Sequence, residues 1–135
     1  MSNTPDNTSV RLKIWQQNLN TSLISQLSLL NSPDIADWDL LVIQEPHINF
    51  LRNTSANHHW HVLYPSQHLT HPQQRTRAVT LISTKLDTNS WTQLPFPSSD
   101  VVVIQFSGLF GRCTLFNIYN DDNHSNTLTT LDDFL

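Results

Sequence analysis

The stretch Trp38-Asp39-Leu40-Leu41-Val42-Ile43-Gln44-Glu45-Pro46 decides how the rest of the chain is read. Four consecutive apolar residues bounded by polar ones predict a short strand covered on both faces. Pro46 ends it, because proline has no N–H to give to a sheet ladder. Glu45 is then a carboxylate at the mouth of a buried strand. A side chain held that rigidly suits metal or acid–base chemistry.

Working outward, Val10, Leu12 and Ile14 alternate with polar residues, the period of a half-buried strand that ends in Gln16-Gln17-Asn18. Leu23, Leu27 and Leu30 fall at helical spacing over Ser22 to Asn31, with Thr21 or Ser22 as the cap and Asn31-Ser32-Pro33 as the stop. Strand, helix and strand within about 35 residues is a βαβ unit, which makes the two strands parallel neighbours. Their C-terminal ends then share one sheet edge, and Asn18 comes to lie beside Glu45. Further strands are expected at Trp60–Leu63, Ala78–Ser83, Trp91–Leu94, Val101–Phe106 and Arg112–Tyr119, the last ending in Tyr119-Asn120. A helix is expected over Ser125–Leu135, and residues 1–9 read as a disordered leader. The expected class is α/β with a mixed sheet and flanking helices, a single domain over 10–135.

Composition narrows the function classes. With 135 residues, 38% hydrophobic content and four Trp, the chain can build one core. A formal charge of -4 argues against a binder whose affinity comes from neutralising many phosphates. It leaves room for an enzyme with a local phosphate site and a divalent cation. Cys113 is the single cysteine, so neither a disulfide framework nor a cysteine zinc cluster is possible, and its alternating surroundings predict a small buried hydrophobe. The start Met1–Ser9 lacks the apolar core of a secretion signal, and the apolar runs are too short to span a bilayer. The expectation is an intracellular protein, nuclear or cytoplasmic. His58-His59-Trp60-His61 suggests zinc, but the absence of a partner cysteine favours a polar loop or strand edge. His124 reads as a loop residue at a helix start.

Four strings, in order, carry a resemblance. Leu12-Lys13-Ile14-Trp15-Gln16-Gln17-Asn18 resembles the opening strand of the endonuclease/exonuclease/phosphatase superfamily, and Leu40 to Pro46 resembles its second strand with the Gln-Glu pair. Arg77-Ala78-Val79-Thr80-Leu81-Ile82-Ser83 is similar to its middle strand, and Phe116-Asn117-Ile118-Tyr119-Asn120-Asp121 to the strand bearing its active-site tyrosine. The wording Gln-Gln-Asn-Leu-Asn and Gln-Glu-Pro-His looks most like the endonuclease domain of fungal-type non-LTR retrotransposons.

The resemblance implies the N-terminal part of a two-sheet α/β sandwich, similar to deoxyribonuclease and exonuclease III. It implies Glu45 as metal ligand with Asn18 beside it, for magnesium or manganese. Tyr119 would act on the phosphate as a third catalytic residue. Separately, Arg75 and Arg77 precede a strand, and arginine suits phosphate contact where the alternative is a solvated loop, so Arg77 with Asn120 is expected to contact the DNA phosphodiester backbone.

Two departures stand out. Asn20 replaces an acidic residue that the family's apurinic-site endonucleases carry, and no residue here matches the family's Gly-Asp-Phe-Asn and Ser-Asp-His motifs. Asp132-Asp133-Phe134 lacks the Gly and Asn of the first motif and falls in a helical pattern. The chain is therefore expected to hold an incomplete domain, lacking the C-terminal half of its catalytic residues. Three functions remain open at this stage: a retroelement-type DNA endonuclease domain, a phosphoesterase for a small phosphate or lipid, and a non-catalytic remnant.

Overall fold

Strand β2 (Leu40–Gln44) is buried along its whole length, as its unbroken apolar run requires. The computed structural model describes residues 12–108 and 111–120. The leader, Val10, His124, Asp132, Asp133 and the helix expected over Ser125–Leu135 lie outside them.

Strand β1 (Ile14–Asn18) pairs parallel with β2, with Ile14 opposite Leu40 and Asn18 opposite Gln44. Helix α1 (Leu23–Leu30) connects them, capped by Ser22, whose hydroxyl accepts from the Ser25 N–H at 3.1 Å. Strands β3 (Trp60–Leu63) and β4 (Ala78–Ser83) complete the first sheet in the order β1-β2-β4-β3. β4 runs antiparallel to both its neighbours, which makes the sheet mixed. The second sheet is antiparallel, in the order β5 (Trp91–Leu94), β6 (Val101–Gly108), β7 (Gly111–Ile118).

The two-residue period of a strand explains the layers. On one face of the first sheet Leu41, Ile43, Val79 and Leu81 pack with Leu19, Leu29, Leu30, Ile35 and Trp60. On the other, Leu40, Ala78 and Ile82 meet Val102, Ile104 and Phe106 of the second sheet. The outward residues Val101 and Val103 are covered by Phe96. Burying a side chain such as Leu40, Leu41 or Ile43 completely is worth about 1.5–3 kcal/mol each, so these three commit the strand to the middle of the sandwich.

Three expectations are corrected. The buried face of α1 is Gln26, Leu29 and Leu30, while Leu23 and Leu27 stay about 40% exposed. Gln26 replaces them because its side-chain amide is fully used beneath the following loop, donating to Thr54 Oγ1 at 2.6 Å and Ser55 O at 2.7 Å. Strand β1 is not half-buried by alternation: Ile14 is 40% exposed, because β1 is an edge strand bordering an open cleft. Cys113 is exposed rather than buried, since the first half of β7 lies at the free end of the β6–β7 ribbon.

Candidate functional site

The C-terminal ends of β1 and β2, the start of β4 and the end of β7 meet at one end of the sandwich. Glu45 follows β2 directly, in the left-handed region at φ 49°. Its N–H donates to Arg77 O and its carbonyl accepts from the Thr21 N–H, both at 2.8 Å. Asn20 and Thr21, in the β1–α1 turn, are left-handed too, at φ 52° and 61°. Such a backbone costs on the order of 1–3 kcal/mol per non-glycine residue and persists only where its surroundings over-determine it. Here the over-determination is visible. Leu19 N–H bonds Gln44 O at 3.0 Å, and Asn20 N–H bonds the Asn18 side-chain oxygen at 2.9 Å.

Glu45, Thr21, Arg75, Thr76, Arg77 and Tyr119 line a depression of about 190 Å³. The Arg77 guanidinium lies over the Tyr119 ring at 5.4 Å, and its Nε is 3.7 Å from Asp100 Oδ1. Tyr119 is fixed in turn by its N–H, which bonds Asp100 O at 2.9 Å. The aromatic face and Asp100 thus hold the cation in the depression that Glu45 also lines. An adjoining cleft of about 540 Å³ opens between the edges of the two sheets, with Asn18, Gln16, Gln44, Tyr119 and Asn120 among its lining residues. All five residues singled out from the sequence therefore gather at this end. They divide between two depressions: Glu45 and Arg77 in the smaller, Asn18 and Asn120 in the larger, and Tyr119 shared by both.

Sequence reading overlooked what holds the site together. Asn117, 1% exposed, reaches from β7 across to the first sheet. Its Nδ2 donates to Val79 O at 2.7 Å, Thr80 Oγ1 at 3.0 Å and Ile43 O at 3.2 Å, and its Oδ1 accepts from Gln44 Nε2 at 2.7 Å. Gln44 also accepts from the Gln16 side-chain amide. Asn117 precedes Tyr119 by two residues and Gln44 precedes Glu45 by one, so this network sets the spacing of the two depressions. The signal was present: an amide in the middle of an otherwise apolar strand needs buried partners.

A second overlooked group is His68, stacked on Tyr64 with ring centroids 4.1 Å apart. Its Nδ1 lies 2.6 Å from Thr76 Oγ1 and its Nε2 2.7 Å from Arg52 O. Burial, the dominant influence, pushes its pKa below the ordinary imidazole value; the bond to Arg52 O opposes that and the Arg52 charge reinforces it. Through Thr76 it braces the loop that delivers Arg75 and Arg77.

For a metal, the donor chemistry is selective. Among the described residues no group of three His, Cys, Asp or Glu is placed to hold an ion, which disfavours a closed zinc site, and His58, His59 and His61 form none. The Glu45 carboxylate is an oxygen donor of the class that suits a hard cation, one that keeps several waters and shares itself with a phosphate. Among the described residues no helix is long and apolar enough to cross a membrane.

No protein-family model and no curated protein matches the chain. Among solved structures it is similar to the endonuclease domain of TRAS1, a telomere-specific non-LTR retrotransposon, with a TM-score of 0.67 and 15% identity. The match covers 91% of this chain and 52% of that one, so the chain spans about half the length of the solved domain. The chain has the fold of part of a retroelement endonuclease domain, as the order of its four sequence strings implied.

Proposed function

We propose that this chain forms part of a metal-dependent phosphodiester hydrolase acting on DNA, with Glu45 and Tyr119 at its centre. The observation that carries the reading is the depression lined together by Glu45, whose strained backbone is held at both its N–H and its carbonyl, two arginines and a tyrosine. Glu45, lining the smaller depression, would hold magnesium or manganese, with Asn18 in the adjoining cleft as the second candidate ligand. When bound, such an ion stabilises charge on the phosphate and activates water. Arg77, Arg75 and Asn120 orient the phosphodiester, arginine by its forked donors. The Tyr119 O–H donates a hydrogen bond to a phosphate oxygen.

Charge distribution supports DNA over a small phosphate or lipid. The net charge of -4 conceals a run from Pro46 to Leu86 that has no Asp or Glu; its Arg75 and Arg77 line the site, Arg77 beside Asp100, while its Lys85 donates to Ala36 O at the far end. Asp34, Asp37 and Asp39 lie before β2, toward the opposite end of the sandwich.

We further propose that these residues do not suffice for turnover. Hydrolysis requires the attacking water aligned, the phosphate charge neutralised and the leaving oxygen stabilised together, and groups that act as a unit lose most of the rate when some are missing. The residues gathered here serve mainly the second need. A plasmid-nicking assay with magnesium tests both parts, using this chain, a version extended to the length of a whole such domain, and Glu45→Ala in each. Nicking by the extended protein only, lost in its Glu45→Ala variant, is expected. Robust nicking by the short chain would refute the incompleteness, and nicking that survives Glu45→Ala would refute the site.

A further inference from the structure

Thr76 stands between the two arginines of the Glu45 depression, and its hydroxyl is tied to a buried histidine. That histidine, His68, is 4% exposed, with Nδ1 2.6 Å from Thr76 Oγ1. Its other nitrogen shows where the proton sits. Nε2 lies 2.7 Å from Arg52 O, and a carbonyl only accepts, so the neutral ring carries its proton on Nε2. Nδ1 is then the bare acceptor, and the Thr76 hydroxyl donates to it.

This arrangement has no place for a second proton. The Arg52 guanidinium lies 3.4 Å from Nδ1, so a proton taken there from solvent would face a cation inside a nearly dry site. It would also reverse the bond to Thr76, whose hydroxyl could no longer donate to Nδ1. The ring is faced by Arg52 from the turn after β2, by Tyr64 from the end of β3, stacked at 4.1 Å, and by Thr76 from the approach to β4. Of these residue types histidine is the one that changes charge between pH 5 and pH 8. Burial, above all, keeps its pKa below the ordinary 6.5.

The loop that Thr76 belongs to is held from two sides. On one, Ser99 Oγ donates to Gln74 Oε1 at 2.9 Å, and Ser99 O accepts from the Arg77 N–H at 3.2 Å. On the other, His68 holds Thr76. The second tie falls between Arg75 and Arg77, and a single proton breaks it.

We propose that His68 is a positioning residue for the Glu45 depression: with its proton on Nε2 it fixes Thr76 and the arginines on either side, and a second proton on Nδ1 releases them and weakens phosphate binding in acid. This rests on the phosphate reading of the depression and adds to it a pH dependence of unusual sign. Exposed histidines such as His58 and His59 gain charge in acid, which by itself strengthens DNA binding.

The test has a ligand-free arm and a DNA arm. In the first, NMR follows the His68 ring and the amides of Arg75, Thr76 and Arg77 from pH 8 to pH 5. The loop amides are expected to move with the ring, at one midpoint below 6.5, while amides of β2 and β6 stay in place. His68→Gln, whose amide can donate to Arg52 O and accept from Thr76, should remove the loop response, as should Thr76→Val. Thr76→Ser, which keeps the hydroxyl, should retain it, and His71→Gln should match the wild type. In the second arm, anisotropy of a labelled DNA duplex at low salt should show wild-type affinity falling about tenfold between pH 8 and pH 5, the loss of roughly one charged hydrogen bond. The affinity of His68→Gln should hold or rise. Loop amides that ignore the ring, or that move only together with β2 and β6 as the chain unfolds, would overturn the proposal. So would an equal fall of affinity in His68→Gln. A loop that switches in a protein binding no duplex at any pH would overturn the phosphate reading and the binding half of the switch, and would leave the hold of His68 on the loop in place.

Discussion

Removing the Asn117 side chain should loosen the whole end of the molecule that carries the candidate site. In Asn117→Leu the volume is roughly kept but every hydrogen bond of the amide is lost. The carbonyls of Ile43 and Val79 sit within the β2–β4 pairing and lose only a supplementary donor. The Gln44 side-chain N–H is worse placed, because it is buried and its acceptor at 2.7 Å disappears. Leaving such a donor unsatisfied costs about 1–3 kcal/mol. Adding the lost bond to Thr80 and imperfect leucine packing, the expected destabilisation is about 3 kcal/mol. With a urea slope of about 2 kcal/mol per molar, that lowers the unfolding midpoint by about 1.5 M, which the four tryptophans report by fluorescence. The decisive sample is Gln44→Leu/Asn117→Leu. Removing both partners of a buried bond spares the orphaned donor, so the double variant should be less destabilised than the sum of the singles by about 1–2 kcal/mol. If Asn117→Leu costs less than about 1 kcal/mol and the two changes simply add, the cross-sheet network is not what holds these strands together.

Two further outcomes follow from the same geometry. Calorimetric titration with magnesium should show weak binding, about millimolar, because one carboxylate with amide oxygens leaves most positions to water; Glu45→Gln should abolish it, and tight binding in that variant would remove Glu45 from its role. His68 should make stability depend on pH. Its pKa is lowered in the folded state, so the unfolded chain takes up the proton first, and the stability it contributes is present above about pH 6.5 and lost progressively as the pH falls below that value. Thermal unfolding between pH 8 and pH 5 should show a falling midpoint that flattens in His68→Gln, and an equally steep fall in that variant would exclude His68 as the cause.

Much of the architecture could be read from local pattern. The buried run Leu40–Ile43, its stop at Pro46 and the helix capped at Ser22 follow from hydrophobic period and backbone chemistry, which neighbouring residues fix among themselves. The parallel pairing of β1 and β2 followed as well, because a short crossover leaves few alternatives. From that pairing Asn18 and Glu45 had to fall at one sheet edge, and Asn18 does sit opposite Gln44.

What the local pattern did not contain was the partner of each side chain across the sandwich. Leu23 and Leu27 had the helical period, yet Gln26 took the buried face because Thr54 and Ser55 waited there with hydrogen-bond acceptors. Ile14 and Cys113 alternated as core residues do, yet one borders an open edge and the other ends a projecting ribbon. The division of the site into two depressions with Tyr119 between them depends on where β7 crosses the first sheet, and Asn117 sets that crossing. Period and capping are properties of residues a few positions apart, so the sequence alone determined the strands, the helix and their edge. Burial and hydrogen-bond satisfaction join residues up to 74 positions apart, and only the packed tertiary structure decided them.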